Sequence, residues 1–216
     1  MSKAAHTLTE GTHFLHKELW RIVGRQLDHG MAQPTGSFYD NLVAMVFALH
    51  TLEAYLNFVG NLLAPDAWKD ERKFFRIEPY RGFDGKLRKV LELVGISEPA
   101  RDIRPYSTVW FLKDFRDLIS HAKPERFKST KDHSVDEEPQ LYHMPFDERI
   151  TRENAERARD DIAAFIEMIH VAAKPRVPKD KAAWFGSVAL GGLLQIASGH
   201  TTLRTREEGA PLTGGH

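Results

Sequence analysis

The run from Ser37 to Leu63, SFYDNLVAMVFALHTLEAYLNFVGNLL, contains no proline and is followed by Pro65. With Gly60 its only breaker, it has to form one long helix. Because apolar side chains occur around most of its circumference, that helix must be covered by other helices. The remaining pattern supplies them. Phe14, Leu15, Leu19, Ile22, Val23 and Leu27 recur at helical spacing in Thr9 to Gly30, and Gly30 with MAQPTGS after it gives the stop. A short segment, DAWKDERKFFR, follows Pro65, and RGFDGKLRKVLELVGI reads as a helix ended near Gly95. Tyr106 to His121 is helical up to the break before Pro124. TRENAERARDDIAAFIEMIHVAA opens with Thr151 as cap and carries the last core stripe. Residues 122 to 150 read as a long loop with a short strand at LYHM. Strand-like alternation is otherwise nearly absent, so the predicted class is an all-α antiparallel bundle over 1–175, followed by an apolar and then disordered, flexible C-terminal tail over 176–216.

Composition narrows the functional classes. Thirty basic residues balance thirty acidic ones in 216 residues, so no net field holds the chain on a polyanion and any such contact must be local. Without cysteine there are no disulfides, thiol nucleophiles or cysteine-ligated zinc sites. The start, MSKAAHTLTEGTHF, has no apolar signal core, so the expectation is a cytoplasmic protein. Ala182 to Ala197 is free of charge but too short, and too interrupted by glycine, for a bilayer span of about twenty residues; no membrane partner is expected. His13 and His16 share a helix face but lack a third ligand, which predicts a surface pair rather than a metal site.

Chemistry is concentrated on Tyr106 to His121. A helical projection assigns Phe111, Phe115, Leu118 and Ala122, with Leu112 and Ile119 beside them, to the core. It turns Arg116, Asp117, Ser120 and His121 to the other side with Trp110. A tryptophan among polar residues points to a groove or a second subunit, and a solvated face is the plain alternative. On the long helix His50, Glu53, Asn57 and Asn61 form a polar stripe, either satisfied core groups or site residues. A Glu53 carboxylate facing Arg116 would hold the guanidinium in a planar two-point geometry. From Lys69 to Lys89 eight basic residues stand against four acids, a candidate polyanion track that includes Arg72, Lys73 and Arg76.

The spacing Arg116-x4-His121 within FRDLISHAKPE resembles the R-x4-6-H motif of the HEPN (higher eukaryotes and prokaryotes nucleotide-binding) superfamily of helical domains. Arg126 to His133 has a permitted spacing too but falls in a loop, so the helical context of the first pair carries the likeness. HTLEAYLNFVGNLL and KLRKVLELVGI are similar to the helices that accompany the motif in that family, over roughly residues 37 to 173. Asp117 stands where close relatives often have Asn, and Lys123 where one variant has tyrosine. The resemblance implies a metal-independent and cofactor-free endoribonuclease of the defence or toxin type. In it Arg116, Asp117 and His121 would be catalytic, His50, Glu53, Asn57 and Ser120 supporting, and Lys123 would join Arg72, Lys73 and Arg76 in binding RNA. It also implies a homodimer with a composite site and an antitoxin or other protein partner. The alternative it leaves open is a non-catalytic helical module for RNA, nucleotide or protein binding.

Overall fold

The computed structural model describes residues 5–33, 35–124, 146–186, 190 and 197–205. Two strands, β1 (Ala5–Thr12) and β2 (Ala197–Thr205), form an antiparallel ribbon that pairs Ala5 with Thr205 and Thr12 with Ala197. The helices are α1 (Leu15–Ala32), α2 (Ser37–Leu63), α3 (Pro65–Lys69), α4 (Glu71–Phe74), α5 (Gly82–Val94), α6 (Tyr106–Ser120), α7 (Arg152–Ala173) and α8 (Lys179–Phe185). The chain is mostly helical, as the sequence predicts, with two corrections at its ends. Thr9 to Thr12 belongs to the ribbon, so α1 begins at Leu15, and part of the predicted disordered end is the partner strand. Threonines at 7, 9, 12, 201, 202 and 205 account for both, since a β-branched side chain fits an extended backbone better than a helix.

Helix α2 is the centre of the bundle, packed by α1, α5, α6 and α7. Ala44, Met45, Ala48, Leu49, Leu52, Tyr55, Leu56 and Val59 are all buried. By length and composition α2 could cross a membrane, yet half of its most apolar window is inside the protein, as in a core helix. Local signals set the boundaries. Pro65 opens α3, Thr151 Oγ1 accepts the Asn154 N–H at 3.1 Å to cap α7, and Gly95 at φ 68° ends α5 in the left-handed region.

The core extends beyond residue 175, where the sequence places a peripheral tail. Val177 and Phe185 are buried, and the Phe185 ring stacks on His170 with centroids 4.4 Å apart and planes at 6°. Phe185 also stacks on Phe58 at 5.7 Å, so α8 sets one aromatic ring between α2 and α7. Part of the charge-free stretch Ala182–Ala197 is therefore interior to the protein. His16 is the other surprise. It is buried against Tyr55 and Phe58, with ring centroids at 5.3 and 5.2 Å, whereas His13 is exposed beside Glu18. The two imidazoles do not form a surface pair. The predicted strand at LYHM, and the rejected Arg126 to His133 spacing, lie outside the described residues.

Candidate functional site

Helix α6 packs with Tyr106, Thr108, Val109, Leu112 and Phe115 inward. That face is rotated from the predicted stripe: Phe111 and Ile119 are half-buried, while Leu118 and Ala122 are exposed. Apolar residues at 109, 111, 112, 115, 118 and 119 fit more than one helix phase, and the tertiary contacts select this one. One anchor is Asp161 on α7, which accepts Thr108 Oγ1 and both Nε and Nη2 of Arg104, the latter two at 2.8 and 2.9 Å. Trp110 is half-buried within its own chain, with the Arg101 guanidinium 3.7 Å above its ring and Tyr106 edge-on at 5.7 Å.

This phase brings Arg116 onto the polar side of α2. Arg116 Nη1 donates to Glu53 Oε1 at 3.3 Å, and its Nε donates to Asp117 Oδ1 at 2.8 Å. The guanidinium is thus shared between two carboxylates, in place of the predicted two-point bond to Glu53 alone. Asp117 also accepts from Lys113 Nζ at 3.2 Å, one turn back on α6, and His50 Nδ1 lies 3.2 Å from Glu53 Oε2. Burial raises the proton affinity of Glu53, but the His50 hydrogen bond and the charges of Arg116, His50 and Lys86 outweigh it and hold the carboxyl below its ordinary range. At Asp117 burial is likewise outweighed, by the Lys113 bond and the Arg116 charge. Both carboxylates are ionised near neutral pH.

Along α2 from Glu53, Asn57 Oδ1 accepts from Trp68 Nε1 at 3.2 Å and from Lys86 Nζ at 3.1 Å, and Lys86 also donates to Glu71. Trp68 reaches Asn57 because Gly60 has no side chain: a Cβ there would overlap the indole ring. These groups line a cleft of about 320 Å³ among α2, α4, α5 and α6, formed by Glu53, Asn57, Glu71, Arg72, Phe75, Gly82, Phe83, Lys86 and Arg116.

The structure brings His50, Glu53, Arg116 and Asp117 into one bonded cluster and places Asn57 and Arg72 on the adjoining cleft. Ser120 and His121 are at the end of α6, both exposed and without a side-chain hydrogen bond among the described residues. His121 has left the helix, with φ −116° and ψ 11°. Lys123 is exposed just beyond it. Lys73 and Arg76 are exposed and do not line the cleft, and Lys73 faces Asp70 at 3.7 Å. Asn61 is exposed at the far end of the stripe. Lys86, Lys113, Trp68 and Glu71 join the site without having been read from the sequence. For Lys113 the i,i+4 spacing to Asp117 was a usable signal, and Lys86 falls within the basic track from Lys69 to Lys89; nothing local marks Trp68 or Glu71. Among the described residues no group of three or more His, Asp or Glu is arranged to hold a metal ion. The chain matches no protein-family model, no curated protein and no solved structure, so its function has to be read from this geometry.

Proposed function

We propose that the protein is a metal-independent endoribonuclease of the HEPN type, acting as a homodimer whose two motif helices meet at a composite site. The observation that carries this reading is the Arg116 guanidinium, fixed by Glu53 and Asp117 on the edge of a cation-rich cleft and five residues from the exposed His121. A fixed guanidinium suits a phosphodiester, whose charge grows in the transition state. In the reaction one His121 takes the proton of the ribose 2′-hydroxyl, and the 2′-oxygen bonds to phosphorus. The bond to the 5′-oxygen then breaks, and the second copy's His121 protonates that oxygen, leaving a 2′,3′-cyclic phosphate and a 5′-hydroxyl.

A non-catalytic RNA-binding module is the second reading, and one observation favours it. No side chain among the described residues orients the His121 imidazole, whereas a general base is ordinarily held by a third group.

One experiment separates the two readings. His121→Ala should cut cleavage by about 10²–10⁴ while RNA affinity persists, and Arg116→Ala should weaken both. Cleavage should survive EDTA and spare the DNA analogue. A wild-type dimer that binds RNA and cuts none from about pH 5 to 8 would leave the binding module. A 24.6 kDa particle in light scattering would remove the composite site.

A further inference from the structure

Each carboxylate of the cleft beside Arg116 is already paired with a cation, and donors are left over. Glu53 is engaged by His50 and Arg116, Glu71 by Lys86, and the single oxygen of the Asn57 amide by both Trp68 and Lys86. Two donors on Oδ1 fix which way the amide faces, and its two Nδ2 hydrogens then have no acceptor among the described residues. Arg116 uses Nε and Nη1 and keeps Nη2. Arg72, exposed on the cleft lining, pairs with no carboxylate among the described residues. Phe75 and Phe83 complete the wall, with Lys86 Nζ 5.6 Å from the centre of the Phe75 ring.

Such a lining selects its ligand by chemistry. A cation finds both carboxylates already neutralised. A neutral sugar needs acceptors as well as donors. An acceptor-rich anion with a flat apolar part matches all of the remaining groups, and at about 320 Å³ the cleft is at the small end of ligand sites, which run to about 1,000 Å³.

We propose that this cleft seats one nucleotide, with its phosphate on Arg72 and Arg116 and an acceptor of its base on the Asn57 amide, against Phe83. Its identification as the RNA nucleotide beside the scissile phosphate rests on the ribonuclease reading; the preference for a nucleoside phosphate does not. Asn57 is then the residue that reads the base, and Trp68 and Lys86 are positioning residues that act through it.

The test is equilibrium dialysis of the full-length chain against adenosine 5′-monophosphate and against a short RNA whose 2′-hydroxyls are methylated, so that it binds without being cut. Arg72→Ala removes an exposed side chain with no partner to strand. Asn57→Asp keeps an oxygen for Trp68 and Lys86 but turns an anionic acceptor toward the cleft. Each should weaken binding by about tenfold or more. Arg21→Ala, on α1, should leave binding unchanged, and the melting temperature of Arg72→Ala should match the wild type. Binding of the RNA more than about tenfold tighter than the mononucleotide would mark the seat as part of an RNA track; equal affinities would mark it as a seat for free nucleotide. Failure of both probes to bind at millimolar concentration, or binding indifferent to Arg72→Ala and Asn57→Asp, would overturn the proposal. RNA cleavage with indifferent binding would remove the cleft and leave the ribonuclease. Sensitive binding without cleavage would do the reverse.

Discussion

Replacing Phe185 by alanine tests whether the chain beyond residue 175 belongs to the core. The ring is fully buried, stacked on His170 at 4.4 Å and on Phe58 at 5.7 Å, with no solvent-facing edge into which a cavity could open cheaply. Phe→Ala at such a site costs about 3–5 kcal/mol, which includes the lost transfer free energy and the residual cavity. A chain of this size loses about 2–4 °C of Tm per kcal/mol, so the fall should be about 6–20 °C. Against a total stability of about 5–15 kcal/mol the variant should still fold but with a much earlier urea midpoint. Helical circular dichroism through a urea titration measures it, with Val171→Ala, an exposed position on α7, expected within about 0.5 kcal/mol of wild type. Deleting 176–216 removes Val177 and Phe185 together and should cost more. A Phe185→Ala loss below about 1 kcal/mol, or a deletion variant as stable as the full chain, would refute the packing described for α8.

His170 gives a pH test of the same region. Burial holds its imidazole below the ordinary 6.5, Glu167 opposes that and Lys174 adds to it. The unfolded chain therefore binds the proton more readily. Stability should be complete above about pH 6.5 and fall as the pH drops through the folded value, and His170→Gln should flatten the urea midpoint over that window. Glu53, Asp117 and Asp161 are all held below their ordinary values, so their contribution is present above about pH 4.5 and is lost as acid protonates them; Glu53→Gln should make the acid limb shallower. Asp161→Asn should cost about 1–2 kcal/mol by thermal melting, the lower part of the range for charged hydrogen bonds because Arg104 is largely exposed. Gly60→Ala should cost about 1–3 kcal/mol through overlap with Trp68, and should weaken nucleotide binding although residue 60 touches no ligand.

Helix α2 was legible because an uninterrupted apolar run between breakers leaves a chain few alternatives. The polar stripe on it was legible for the same reason: Glu53 and Asn57 stand out on an apolar helix, and Glu53 does meet Arg116. The rotation of α6 was hidden because Val109, Phe111, Leu112 and Phe115 satisfy two overlapping faces, and the choice between them is made by Asp161 on a different helix. Lys86 and Trp68 were hidden because their long side chains converge on Asn57 from separate elements, which no sequence spacing encodes. The ribbon joins residues about two hundred positions apart, and a short threonine-rich segment carries no record of its partner.

Trp68 also has an optical consequence. Its indole is nearly buried, in contact with the Phe75 ring at 4.9 Å, and its one polar atom is bonded to the amide that faces the cleft. Trp110, under the Arg101 guanidinium, and half-buried Trp20 on α1 have different surroundings. Excited indole responds to the field at its N–H, so any ligand that pulls on the Asn57 amide shifts the emission of Trp68 directly. Occupancy of the cleft can therefore be followed by the protein's own fluorescence, in a background with Trp20, Trp110 and Trp184 each replaced by phenylalanine, with no label attached.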